Sequence, residues 1–219
     1  MPIRSLTLSC DVASRLTILC LGAHSDDIEI GCGGTILRLR EQYPDVRFHW
    51  VVFSAVGVRE AEARHAAALF AGPSALSEPL LKAFTDGFMP FVGAEVKAVL
   101  EELKQAVSPD LIFTPYRNDA HQDHRLVAEL TWNTFRDHLI LEYEIPKYDG
   151  DLGQPSVFVP LADDLCKKKA RYLMEAFPSQ HTKRWFEERT FLSLLRLRGM
   201  ECNAPSGYAE GFYCRKLVL

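Results

Sequence analysis

Short apolar runs, each ending abruptly at polar or glycine residues and followed by a helix-like stretch, constrain this chain more than any other feature. The run at 16–21 (LTILCL) stops at Gly22-Ala23. It is rich in strand formers and shows no polar alternation, which suits a strand covered on both faces of a parallel sheet. The runs at 46–54 (VRFHWVVFS) and 110–115 (DLIFTP) have the same character. Helical patterns intervene. The first is expected to begin after Gly33-Gly34-Thr35, with Ile36, Leu37 and Leu39 on its apolar face. Others are expected at 59–70, rich in Ala, Glu and Arg, at 95–106 and at 126–135. A weak strand at 80–84 leads into the turn dipeptide Asp86-Gly87. This alternation predicts an α/β fold: a three-layer α/β/α sandwich around a mainly parallel, Rossmann-like sheet.

Beyond residue 138 the segments LILEYEIP (139–146) and SVFVPL (156–161) read as strands around a loop at 149–153. Helices are expected at 166–177 and 181–195, the latter carrying Trp185 and Phe186, and a closing strand at 213–219. With no repeat, low-complexity tract or linker, 1–219 is read as one domain.

Composition excludes some functions. A net charge of −4 leaves no basic surplus for a phosphate backbone, so no nucleic-acid partner is expected. The six cysteines include no CxxC pair and read as idle thiols of a reducing compartment. The apolar stretch after Arg4 is interrupted by Asp11 and Arg15 before a signal-length run develops. No segment reaches the roughly 18 apolar residues of a membrane span, so a cytoplasmic location is expected. Oligomeric state, and so a homo-oligomer, is left open.

Two clusters carry chemistry. Ala23-His24-Ser25-Asp26-Asp27-Ile28-Glu29 follows the first strand, on what reads as a loop. The glycines at 31, 33 and 34 after it suggest close backbone approach. Asn118-Asp119-Ala120-His121-Gln122-Asp123-His124-Arg125 follows the 110–115 strand. In open α/β sheets ligands bind beyond the carboxyl ends of strands. Imidazole and carboxylate together at two such ends point to a metal centre with an open position for water. His24 and Asp27, three apart, can face inward from one turn, and His124 can complete a ligand triad. Asp26 and His121 then remain beside the metal. One helper takes a proton from the attacking water and another stabilises developing charge. Asp123 is suited to hydrogen-bond a histidine ring and fix its tautomer.

At these residues the chain resembles the LmbE-like and PIG-L-like N-deacetylases, whose hallmarks are an AHPDDxE motif after the first strand and an HxDH motif after a later one. This sequence reads AHSDDIE at 23–29 and HQDH at 121–124, with Arg59 and Glu62 as RxxE, Asp86-Gly87, and GYAEGF at 207–212 as lesser likenesses. The specific matches cluster in the first 125 residues. The resemblance implies a zinc-dependent hydrolase (Fe2+ being the other candidate ion) acting on a small-molecule N-acetylated amino sugar or conjugate. It carries the metal ligands onto His24, Asp27 and His124, and the general base onto Asp26. The charge-stabilising histidine, protonated, falls on His121 with Asp123 behind it. Arg59 and Asp86 fall where sugar hydroxyls or phosphate are contacted. Ser25 departs from the family's usual proline, which removes a restraint on φ between ligand and base.

Two other functions compete. A hydratase would add water to a small unsaturated carboxylic acid on the same scaffold. A binding module would hold a sugar nucleotide without catalysis, although Gly31–Gly34 supplies no GxGxxG fingerprint. The later segments offer Glu142, Tyr143, Glu144, Tyr148 and Asp149 either to a sugar or to an ordinary strand and turn. Tyr208 and Glu210 are candidates to line the pocket. Lys167-Lys168-Lys169 reads as a solvated face.

Overall fold

The computed structural model describes residues 15–218. Arg4, Cys10 and Asp11, and the last residue of the expected closing strand, lie outside them. Among the described residues the strands are β1 (Thr17–His24), β2 (Arg47–Ser54), β3 (Leu80–Leu81), β4 (Leu111–Pro115), β5 (Leu139–Tyr143), β6 (Val157–Pro160) and β7 (Ala209–Cys214). They form one sheet in the order β3-β2-β1-β4-β5-β7-β6. The first five in that order pair in parallel, and β7 runs antiparallel between β5 and β6.

The predicted sandwich is present. Helices α1 (Asp27–Gln42), α2 (Val58–Ala71) and α5 (Asp163–Ala176) pack on one another over one face. Helices α3 (Gly93–Ala106) and α4 (Gln122–Thr134) cover the other, and α6 (Glu188–Glu201) packs on α5 and β7. The apolar runs explain this layering. Along β1, Ile18 and Cys20 enter the core under α1, whereas Leu19, Leu21 and Ala23 enter the core under α3 and α4. A strand buried on both faces has no place for polar alternation. None of the described helices is long and apolar enough to cross a membrane.

Several boundaries differ from expectation: the closing strand, expected at 213–219, is β7 at Ala209–Cys214. Helix α1 begins at Asp27, not after Thr35, so the glycines lie inside it. A Cβ at Gly31 would fall within the Tyr143 ring, one at Gly33 against Phe70, and one at Gly34 against Leu161 and Glu210. The close approach is therefore by packed side chains. Helix α4 begins at Gln122, which puts His124 in its first turn. Residues 181–187 are not helical. They form turns before α6, with Phe186 buried against Phe177 and Phe191.

Strand order reverses direction between β1 and β4, since β2 and β3 lie to one side and β5 to the other. At such a switch point the connections diverge and leave a crevice beyond the strand ends. Both motif clusters occupy these ends.

Candidate metal centre

His24 is the last residue of β1, and two residues later Asp26 precedes the first turn of α1. The Asp27 Oδ2 accepts the His24 backbone N–H at 2.8 Å, which turns the carboxylate back toward the strand end. His124 reaches the same point from the first turn of α4. Its Nε2 lies 3.1 Å from His24 Nδ1 and 3.3 Å from Asp27 Oδ1. His24 Nδ1 lies 3.5 Å from Asp27 Oδ2. A tetrahedral cation with bonds of about 2.0–2.1 Å holds neighbouring ligand atoms about 3.3 Å apart. The two ring nitrogens have about that spacing, and Asp27 approaches His124 through Oδ1 and His24 through Oδ2. Among the described residues, two groups place their ligand atoms within 4.8 Å of one another, His24–His121–His124 and His24–Asp86–His121–Asp123, and Asp27 belongs to neither.

Electrostatics point the same way. Burial pushes the Asp27 carboxyl up, but the His124 and His24 rings overcome it and hold the group well below the usual range. Burial opposes charge on His24, yet Asp27, Asp123 and Asp86 raise it well above an ordinary histidine. His124, against burial, is lifted to about 9 by Asp27 and Asp119. Two ring nitrogens 3.1 Å apart and surrounded by carboxylates favour a shared proton or a cation in its place. A metal binds by displacing protons from its ligands.

The supporting groups differ in part from those expected. Asp123 lies against His24, not behind His121: its Oδ2 is 3.3 Å from His24 Nε2. The same carboxylate accepts the backbone N–H of Gly87 at 2.7 Å and of Met89 at 3.2 Å. It therefore ties the 86–89 turn to the site, and Gly87 takes the left-handed φ of 78° in that turn. His121 caps α4, its Nδ1 accepting the Asp123 N–H at 3.3 Å. That leaves Nε2 to carry the proton. Burial and the neighbouring His24 and His124 rings lower its pKa, which disfavours the protonated form expected. Behind His124 stands Asp119, a residue given no role from sequence. Its Oδ2 is 2.9 Å from His124 Nδ1 and 2.9 Å from Lys147 Nζ. Its position in the NDAH segment was the available clue.

Asp26 is buried, and its Oδ1 pairs with Arg59 Nη2 at 2.8 Å. Burial raises its pKa while Arg59 opposes the rise. Arg59 also holds Glu62 at 2.9 Å, and Glu62 in turn accepts the Ser179 N–H at 2.8 Å and hydroxyl at 2.7 Å. Arg59 is thus committed to Asp26 and Glu62 while still lining the cavity. Asp86 also lines it, with Oδ1 3.1 Å from His24 Nε2 and a largely exposed side chain.

These groups border one cavity of about 450 Å³ that also exposes Lys147, Tyr148, Lys183 and Trp185. Trp185, expected in a packed helix, instead faces this space. Glu210 and Tyr208 do not line it. Glu210 is buried with Lys169 at 2.6 Å and accepts the Gly34 and Thr35 N–H groups. Lys169 is accordingly not part of a solvated face, and Tyr208 lies under Arg196. Glu142, Tyr143 and Glu144 are likewise buried structural groups.

Residues 19–135, a span containing both motifs, match the family described as GlcNAc-PI de-N-acetylase (PIG-L). The N,N'-diacetylchitobiose deacetylase of Pyrococcus horikoshii is similar at 20% identity over 91% of this chain and 83% of that one, with a TM-score of 0.68. The teicoplanin deacetylase Orf2, solved in a zinc-inhibited form, is similar at 13% identity over 90% and 97%, with a TM-score of 0.72. The 4-carboxy-2-hydroxymuconate hydratase GalB of Pseudomonas putida KT2440 is similar at 17% identity over 93% and 98%, with a TM-score of 0.72. At such identities the likeness to solved structures establishes the fold.

Proposed function

Because the chain belongs to the GlcNAc-PI de-N-acetylase family, we propose that it is an N-deacetylase that hydrolyses the acetamide of an amino sugar or amino-sugar conjugate. We take residues 1–219 as one domain of this kind. The observation that carries the reading is that Asp26, His121 and the His24–Asp27–His124 cluster all border one cavity.

His24, Asp27 and His124 would hold a divalent cation, taken as Zn2+ with Fe2+ as the other candidate, which would supply Lewis acidity. Asp26 takes the proton from the attacking water, its carboxylate kept in place by Arg59. The oxygen that gains charge accepts a hydrogen bond from His121 Nε2–H. Asp26 returns its proton to the departing nitrogen, the C–N bond breaks, and acetate and a free amine leave. Asp119 and Asp123 hold the His124 and His24 rings. Arg59 orients Asp26, and Asp86 is left at the cavity edge to meet sugar hydroxyls.

Acetate release from a panel of N-acetylated sugars tests this, using protein as isolated, chelated, and resupplied with zinc. Activity that disappears on chelation and returns with metal is the expected result. Asp26→Asn should lower kcat by about 10²–10⁴-fold while keeping its metal. If Asp26→Asn binds no metal, the division of labour between the adjacent aspartates is wrong. No acetate from a metal-loaded protein, with water added instead to a conjugated unsaturated acid, would favour the hydratase reading that the GalB-like fold leaves open.

A further inference from the structure

The carboxylate behind His124 has a counter-ion of its own. Asp119 Oδ2 stands 2.9 Å from His124 Nδ1, and the Lys147 ammonium meets the same oxygen at 2.9 Å. Lys147 lies on the loop that follows β5, and its side chain is only 10% exposed. Asp151 at 2.6 Å and Asp149 at 3.7 Å complete the carboxylates around it. Burial opposes its charge, but Asp151 and Asp119 outweigh burial and raise its pKa, so it stays an ammonium.

Lys147 is not what holds Asp119 in place. Asp119 Oδ1 accepts the His121 N–H at 2.7 Å, and the Asp119 N–H donates to Tyr116 O at 3.1 Å. Arg125 Nη1 donates to the Asp119 carbonyl at 2.9 Å. The next residue is held as well, since Asp151 Oδ2 accepts the Ala120 N–H at 2.6 Å. A turn fixed in this way keeps its shape without an ammonium, so what Lys147 adds is charge. A carboxylate behind a ligand histidine makes the ring a stronger donor and tightens the metal. A cation on the same oxygen offsets part of that negative charge. The ring then donates less, which holds an ion less tightly and leaves it a stronger Lewis acid.

Taking His24, Asp27 and His124 as the metal ligands, we infer that Lys147 is a positioning residue that acts through Asp119 to limit the donor strength of His124, giving up metal affinity for Lewis acidity. Asp151 sets how much of the ammonium's charge reaches Asp119, because it competes for the same cation.

The experiment measures zinc affinity by competition with a chromophoric chelator for the unaltered protein, Lys147→Met, Lys147→Arg and Asp151→Asn. Urea unfolding of the metal-free forms establishes that each is folded. Lys147→Met should bind zinc about tenfold more tightly. Lys147→Arg keeps the charge and should restore the affinity of the unaltered protein. Asp151→Asn keeps an acceptor for the Ala120 N–H but releases the ammonium to Asp119, and should bind zinc more weakly. A loop that merely braced the site would lose affinity in both Lys147→Met and Asp151→Asn, so the opposite signs are diagnostic. Weaker or unchanged binding in Lys147→Met would overturn the inference. If Lys147→Met does not fold, Asp151→Asn decides alone, and tighter or unchanged binding there overturns it. The measurement needs no substrate, so a failure to release acetate bears on the deacetylase reading and not on Lys147. An unaltered protein that binds no zinc would sink the ligand set, and this inference with it. Where acetate is released, zinc-loaded Lys147→Met should show a lower kcat despite its tighter ion, and an undiminished kcat would overturn the exchange of affinity for Lewis acidity.

Discussion

Asp119 shows how much of the site depends on residues that touch no substrate. Its carboxylate bridges the His124 ring and Lys147, and its Oδ1 accepts the His121 N–H at 2.7 Å. One side chain thus orients a metal-ligand candidate and shapes the turn that presents His121. Second-layer carboxylates of this kind typically contribute 10- to 100-fold in metal affinity. Asp119→Ala should weaken zinc binding by about that factor, as measured by competition with a chromophoric chelator. Unchanged affinity would show that His124 needs no partner. Asp123→Ala should act differently, because it also releases the 86–89 turn that carries Asp86.

Among the elements, α1 carries the most conflicting demands. It must begin at Asp27 to aim a carboxylate at the strand end, then pass close to Tyr143, Phe70 and Leu161. Glycine in a helix costs about 1 kcal/mol relative to alanine, and here the space leaves no alternative. Gly31→Ala should destabilise the protein by about 1–3 kcal/mol, because its methyl would enter the ring of a fully buried tyrosine bonded to Leu21 O at 2.7 Å. Urea unfolding measures this, and an unchanged midpoint would mean that Tyr143 moves freely. The same helix is gripped from behind. Lys169 Nζ donates to Ile30 O and to Glu210 Oε1, both at 2.6 Å. Lys169→Met leaves Glu210 charged and buried, and should cost about 3–5 kcal/mol by the same measurement.

For the whole molecule, the candidate metal ligands sit at the end of β1, the start of α1 and the start of α4, so an ion bound there would link both faces of the sheet. A ligand that binds only the folded state stabilises it by about 2.7 kcal/mol at a hundred times its Kd. Chelation should therefore lower Tm, and zinc should restore it in a concentration-dependent way in scanning calorimetry. His124→Ala should lose that dependence, whereas Asp26→Asn should keep it. A Tm indifferent to metal in the unaltered chain would argue against the cluster as a metal site.

The sequence alone determined the layered α/β class, because strands buried on both faces are continuous apolar runs and the intervening helices carry their own periodicity. It also determined which residues meet at the candidate centre. His24, Asp26 and Asp27 are local to one strand end, and His121 to His124 are local to another, so short-range pattern was enough. Tertiary structure alone decided the partners. Asp123 serving His24, Asp119 serving His124, Arg59 committed to Asp26, and Glu210 withdrawn to Lys169 all depend on distances between segments far apart in the chain. The helix start at Asp27 was hidden for a related reason. Glycine is disfavoured in helices by local propensity, and only the rings packed against α1 explain why it is there. Of the helix expected at 181–195 only the part from Glu188 is helical, because 181–187 form turns that bury Phe186. Only the folded chain places Lys183 and Trp185 at the cavity.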